Sequence, residues 1–409
     1  MKFSQFNFNP EIQKNIKKQG YEAPTPIQEK TIPLILKQKD VMGLAQTGTG
    51  KTAAFVLPIL QQLIQRKKRT VRALVIAPTR ELTEQINTVF NQMGRGTGLK
   101  TLSIYGGISI RPQITTLKKG VDIITACPGR LLDHIQRKTI DVSRIDILVL
   151  DEADQMFDMG FLPDIKKIIG HLPKHRQTLM FSATMPEKIK SLADQILDHP
   201  ETVNIGYRAP VSTVDHAFLP VKNDRKTELL KNILDNHDTG PVLVFTRTKL
   251  RASRVAEKLF KSGYHATALH GNLSQDKRKK ALYGFDKGKY KVLVATDVAA
   301  RGIDVSGVSH VINYDIPDTV DAYTHRIGRT GRANRTGDAL TFVTSGDKGP
   351  AFSIQAILGD RLKQSIEMDF FGKAATHRNR SGKVRPKAKK RIFRGKFRNR
   401  AARQANPYG

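Results

Sequence analysis

"DVMGLAQTGTGKTAAFVLPILQQLIQ" (40–65) reads as a short apolar strand, a glycine-containing turn and an amphipathic helix. That succession is the setting of a phosphate-binding loop in an α/β fold. Gly48 and Gly50 let successive backbone N–H groups turn toward an anion at the helix N-terminus. Lys51 would reach the β- and γ-phosphates of a nucleotide, and the Thr52 hydroxyl would ligand Mg²⁺. The general pattern starts with glycine, whereas Ala45 holds that place here. Taken alone, the stretch leaves a plain glycine turn before Lys-Thr as an open alternative.

A second stretch, "ILVLDEAD" (147–154), bears on that choice. A hydrophobic strand ending in an acid puts Asp151 at the carboxyl edge of a sheet, where it can hold Mg²⁺ through water. Glu152 is then placed to orient or deprotonate an attacking water. A solvated acidic turn is the competing reading. Against it, Asp151, Glu152 and Asp154 would repel one another without a cation.

Working outward, "RALVIAP" (72–78), "VDIITA" (121–126), "DILVLD" (146–151) and "QTLMFSAT" (177–184) are near-continuous apolar runs. Such runs suit strands of a parallel sheet covered on both faces. Residues 52–66, 80–93 and 130–137 supply crossover helices between them. After the polar segment "NIGYRAPVSTVDH" (204–216) the alternation restarts with "PVLVFTR" (241–247), "KVLVATD" (291–297) and "HVINYD" (310–315). At 409 residues the chain exceeds one ordinary core, so two α/β domains joined near residue 208 are expected.

Charge points to the partner. Lys and Arg number 69 against 37 Asp and Glu, a net of +32, which favours a polyanion and nucleic acid first. The excess is uneven: residues 373–409 carry 14 Lys and Arg and no acid, leaving +18 elsewhere. That end, with "KAKKRIFRGKFRNRAAR" (387–403), cannot build a core and reads as a disordered basic tail. No apolar run approaches the ~18 residues of a membrane span, and "MKFSQFNFNP" (1–10) lacks the apolar stretch of a signal peptide. A cytoplasmic location is therefore expected. The single cysteine, Cys127, forms no internal disulfide, in keeping with a reducing compartment.

On these motifs the sequence resembles the DEAD-box ATP-dependent RNA helicases of superfamily 2, in family order from Phe3 to about residue 345. "RALVIAPTREL", "QTLMFSAT", "VLVFTRTK" and the basic tail make it most similar to the bacterial RhlE-like group. In this family the phosphate loop begins with Ala, so Ala45 is the family form. The resemblance implies two tandem RecA-like domains, each a parallel sheet flanked by helices, over residues 1–207 and 208–360, then the tail from 361. It implies ATP and Mg²⁺ as cofactors, with Ala45, Gln46, Thr47, Gly48, Thr49, Gly50, Lys51 and Thr52 around the phosphates. Asp151 shares the metal with Thr52, and Glu152 acts on water.

Further roles follow from the same resemblance. "GYEAPTPIQ" (20–28) is similar to the adenine-recognising Q motif, with Tyr21, Thr25 and Gln28. Phe3, upstream, would stack on the ring; packing of the N-terminus is the other reading of that residue. Asp154, with Ser182 and Thr184 of "SAT", would couple the acidic motif to the second domain, together with His325 and Arg326. In "HRIGRTGR" (325–332), Arg329 and Arg332 would be arginine fingers that meet the γ-phosphate on closure, and Asp304 of "ATDVAARGID" would face the ribose. RNA contacts would come from Arg80, Gly106, Gly107, Gly129 and Arg130 in the first domain. In the second they would come from Thr246, Arg247, Gln275, Arg278 and Thr296. Such contacts bind strand shape without reading bases.

Three positions depart from the family pattern. Cys127 replaces the usual Thr of Thr-Pro-Gly-Arg and reads as a small packing residue; Gln155 and Phe157 replace the common Arg and Leu, where altered inter-domain tuning is expected. The expected activity is local, non-processive unwinding or remodelling of RNA driven by ATP-dependent domain closure, in ribosome assembly or RNA turnover. An ATP-gated RNA clamp or annealing chaperone and a DNA translocase are the alternatives.

Overall fold

The computed structural model describes residues 2–45, 48–65, 69–205, 214–236, 239–300, 307–331 and 337–364. The linker near residue 208 and residues 365–409 lie outside them, whereas Leu362–Gln364, at the start of the expected tail, is a strand of the second sheet. Residues 1–371 form one compact unit.

Seven strands make the first sheet: β1 (Val41–Leu44), β2 (Ala73–Ile76), β3 (Thr101–Ile104), β4 (Ile123–Ala126), β5 (Ile147–Leu150), β6 (Gln177–Ser182) and β7 (Glu201–Asn204). Seven more make the second: β8 (Val214–Pro220), β9 (Val242–Phe245), β10 (Ala266–Leu269), β11 (Val292–Ala295), β12 (His310–Asn313), β13 (Gly337–Val343) and β14 (Leu362–Gln364). Every pairing is parallel. The orders, β3-β4-β2-β5-β6-β1-β7 and β10-β11-β9-β12-β13-β8-β14, are the same topology twice.

The apolar runs are explained by helices on both faces of each sheet. Ile147 and Val149 of β5 point into one core, while Leu148 and Leu150 point into the other. In the second sheet Val242 and Val244 are separated in the same way from Leu243 and Phe245. All eight strands anticipated from sequence, β1 and the seven apolar runs, are present, and the crossovers come out as Lys51–Ile64, Arg80–Met93 and Pro128–Gln136. Strand order turns at β1–β6–β5 and puts the carboxyl ends of these strands, with their loops, on one edge.

Candidate active site

The phosphate loop is held by the segment before it. Gln28 Oε1 accepts from Thr25 N (3.0 Å), and its Nε2 donates to the Gly50 carbonyl (3.0 Å). Gly50 has φ +91°, and a Cβ there would lie 2.5 Å from Gln28 Nε2, so both conformation and space require glycine. Lys51 opens the helix Lys51–Ile64 with its side chain buried and its Nζ donating to the Ala45 carbonyl at 2.8 Å. Gln46 and Thr47 lie outside the described residues. Tyr21 lines the cavity in front of the loop, whereas Phe3 is buried behind it, its ring 6.2 Å from the Tyr21 ring. Phe3 thus packs against Tyr21 and Phe6 here, and Tyr21 is the aromatic presented to the cavity.

Asp151 follows β5 directly, its N–H donating to the carbonyl of Ile76 at the end of β2 (2.9 Å). The side chain is buried, and burial pushes its carboxyl up to about 7 against the opposing pull of Lys51. Glu152 is a non-glycine residue at φ +51°, a strained conformation of the sort that clusters at active sites. Its buried Oε2 has no hydrogen-bond partner among the described residues. Asp154 turns the other way: its Oδ2 accepts from the N–H groups of Ala183 (3.1 Å) and Thr184 (2.8 Å) and from Thr184 Oγ1 (3.1 Å). Ser182 Oγ accepts from Asp154 N and donates to the Thr184 carbonyl.

The second domain closes this site. A cavity of about 650 Å³ is lined by Gly48, Gly50, Lys51, Thr52, Asp151 and Glu152 on one side and by Arg329 on the other. His325 Nε2 of the second domain comes to 3.9 Å from Asp154 Oδ2, close to the acidic motif but beyond hydrogen-bond distance. Arg326 instead stays within its own domain, gripping both oxygens of Asp297 (2.5 and 2.7 Å) and the Asp315 carbonyl (2.7 Å). Asp304 and Arg332 lie outside the described residues.

Residues 25–192 match the DEAD/DEAH box helicase family and residues 225–334 match the helicase conserved C-terminal domain. The ATP-dependent RNA helicase CshA of Limosilactobacillus reuteri is 46% identical over 88% of this chain and 73% of its own length. This chain belongs to the DEAD-box ATP-dependent RNA helicases. The relatives named are CshA proteins, so the finer RhlE-like placement is not carried forward. Yeast Dbp5 bound to RNA and ADP BeF3 is 30% identical with a TM-score of 0.79, covering 89% of this chain and 95% of that one. A Dbp5 variant bound to Nup159, a Gle1 variant, IP6 and ADP, also 30% identical, reaches only 0.61 over 88% and 94%. This chain thus superposes better on the RNA-bound Dbp5 than on that complex.

On the first domain of the helicase, Arg80 lies over Gly107, where φ is +79° and a Cβ would sit 2.1 Å from its guanidinium. Arg130 donates both Nη groups to the Ile108 carbonyl (3.2 Å each), so the two arginines flank the Gly106–Gly107 turn. Gly129 is exposed in the first turn of Pro128–Gln136. In the second domain Arg247 is half exposed, Thr296 is buried, and Thr246 is fully buried with its hydroxyl on the Thr248 carbonyl. Arg278 and Gln275 are not open to a strand: Arg278 Nε donates to Glu81 Oε1 at 2.7 Å and Gln275 Nε2 approaches it at 3.5 Å. Beside them Lys279 pairs with Glu84 (2.8 Å), whose carboxylate also takes the Tyr105 hydroxyl.

Glu81, Glu84 and Lys279 were not singled out in the sequence. Their signal was only the acid following Arg80 and the cation following Arg278, which say nothing of one another. Cys127 Sγ lies 3.3 Å from Thr83 Oγ1, and burial pushes its thiol up to about 11, as suits a packing residue. Gln155 is buried with an unpartnered Oε1, and Phe157 packs under Lys188.

Proposed function

We propose that this helicase opens RNA duplexes locally and non-processively by closing its two domains on ATP and one RNA strand. The observation that carries the proposal is the single cavity shared by the phosphate loop, the acid pair and Arg329. In this reading Gln28 reads the adenine edge beside Tyr21, and Lys51 leaves the Ala45 carbonyl for the β- and γ-phosphates. The unpartnered Oε2 of Glu152 takes a proton from the attacking water. Arg329 meets the γ-phosphate only in the closed form, with Arg332 as a second finger. The Thr52 hydroxyl and Asp151 carboxylate are hard oxygen donors, and a buried carboxylate beside Glu152 and Asp154 with Lys51 as its opposing charge fits a divalent cation. They would hold Mg²⁺, which supplies neutralisation of phosphate charge.

Closure and RNA binding are one event in this account. The ion pairs of Glu81 with Arg278 and Glu84 with Lys279 form only when the domains meet, and they adjoin Arg80 and Gly106–Gly107 on the RNA face. Asp154, Ser182, Thr184 and His325 carry the state of the acid pair across the same cleft. Backbone and arginine contacts make binding largely sequence-blind, consistent with structured ribosomal or messenger RNA in the cytoplasm. Family membership favours RNA over DNA.

The test is Glu152→Gln. Expected is retention of ATP-dependent RNA binding with ATP turnover reduced at least about 100-fold. Near-normal turnover would remove Glu152 from the base role, and stimulation of the wild type by DNA but not RNA of equal length would overturn the substrate assignment.

A further inference from the structure

The repeated topology lets corresponding places at the two sheet edges be compared. Ala45 N donates to the carbonyl of Ser182 at the end of β6, and Val221 N donates to that of Val343 at the end of β13. Asp151 N is bonded to the last carbonyl of β2, and Asp315 N to that of Phe245, the last of β9. Lys51 opens the helix after β1, and Lys226 opens Lys226–Asn236 after β8; each is followed by threonine. Lys226 and Asp315 therefore stand where the first domain keeps Lys51 and Asp151.

What surrounds them has changed. The intervening "KNDR" (222–225) has no glycine, so no ring of backbone N–H groups is left to cradle phosphate. The lysine has closed on the acid instead, Nζ to Oδ1 at 3.0 Å, with side chains 3% and 2% exposed. The same Oδ1 takes Arg251 Nη1 at 2.6 Å, and Oδ2 takes the backbone N–H of Arg247 at 2.9 Å. Arg247 Nη2 is steadied by the Ile316 carbonyl (3.3 Å) and by Asp318 (3.1 Å). Asp315 thus holds the Arg251 guanidinium and the Arg247 backbone N–H, and the two arginine side chains remain 38% and 47% exposed at the carboxyl edge of the sheet. Lys226, Arg247 and Arg251 outnumber Asp315 and Asp318 by one positive charge.

We propose that the Lys226–Asp315 pair is a positioning brace that presents Arg247 and Arg251 together as a two-arginine fork for a phosphate of the RNA backbone. The inference rests on the assignment of Arg247 to RNA. Arg251 is the new phosphate-binding residue, and Lys226 and Asp315 are positioning residues. Without the buried lysine, Asp315 would hold the Arg251 guanidinium and the Arg247 backbone against the full cost of a buried carboxylate, and the fork would loosen.

The test measures binding of a fluorescent, U-rich single-stranded RNA by the full chain in the presence of a non-hydrolysable ATP analogue. Arg251→Ala, on the solvent side, is expected to weaken RNA binding about tenfold and to flatten its salt dependence by about one ion. Lys226→Met is expected to weaken it severalfold, with Lys226→Arg restoring most of the loss, while analogue affinity without RNA stays at the wild-type value. Arg247→Ala separates the two ideas. If it leaves RNA binding intact, the underlying RNA assignment fails. If it weakens binding while Arg251→Ala does not, the fork is wrong. Equal losses for Lys226→Arg and Lys226→Met would overturn the positioning role.

Discussion

Lys51 with Asp151 and Lys226 with Asp315 occupy matching places in two copies of one topology, yet their electrostatics are opposite. In the first domain glycines keep the loop open, Lys51 is parked on a backbone carbonyl, and burial raises the Asp151 carboxyl. In the second the loop has lost its glycines and the cation has collapsed onto the acid. Burial would raise Asp315 too, but the Arg247 N–H, Lys226 and Arg251 outweigh it and hold its carboxyl below the ordinary range. One fold has yielded a site left unsatisfied for a ligand and a site that satisfies itself. A buried group with unmet demand can bind; the same group fully paired can only position its neighbours.

The largest expected effect concerns what the second domain lends to the first. Arg329→Ala should lower RNA-stimulated ATP hydrolysis by about 10³–10⁵-fold, with ATP binding retained. A loss under tenfold in a steady-state assay would mean that the open site is complete without its neighbour.

Stability should separate the two acids by sign. Asp315→Asn breaks a buried ion pair worth about 3–5 kcal/mol and should lower the Tm by about 10 °C. Asp151→Asn removes a buried carboxylate that the fold disfavours, and should raise the Tm by about 2 °C or more at pH 8 without Mg²⁺ or nucleotide. Calorimetry showing both variants destabilised would erase the distinction drawn here.

Acidity sharpens it further. Asp151 is raised in the folded state, so the fold holds its proton more tightly than the unfolded chain, and its stability contribution declines as pH rises toward about 7. Asp315 is lowered, so its contribution is present above the ordinary carboxylate pKa and is lost as pH falls through its own. If Asp151 holds Mg²⁺ as proposed, cation binding displaces a proton below about pH 7, and affinity for Mg²⁺-ADP should fall about tenfold per unit under that pH. Titration calorimetry at pH 6 and 8 would show no change if burial did not control this carboxyl.

The smallest effect belongs to the exposed part of the domain contact. Lys279→Ala removes a partly solvated ion pair and should raise the RNA concentration for half-maximal ATPase only about twofold. Arg278→Ala, at the buried pair with Glu81, should do several times more.

Most central strands were legible in the sequence because residues covered on both faces must be apolar throughout, as in "ILVL" of β5. Edge strands were not, nor were the interior β8, whose start lay in the segment read as polar, and β13, where polar and apolar residues alternate. β3 is half exposed and β7 buries only Val203, so neither forms an apolar run. Among candidate site residues, the places of those fixed by the local chain followed from the sequence: Lys51 at the start of its helix after the glycines, Asp151 and Glu152 at the end of β5. Those decided by distant partners could not. Phe3 went behind Tyr21, Thr246 turned inward, and Arg278 and Gln275 spent their donors on Glu81.

By itself, then, the sequence determined a doubled parallel α/β fold, a glycine-containing loop before Lys51 and an acid pair at the end of β5, and a strongly basic chain. Apolar periodicity, glycine conformation and charge are properties of short stretches. Only the tertiary structure decided that Lys226, 89 residues from Asp315, would close on it and turn a second nucleotide edge into a brace. Whether a lysine meets solvent, phosphate or a buried carboxylate depends on what the fold brings within about 3 Å, and no local pattern records that.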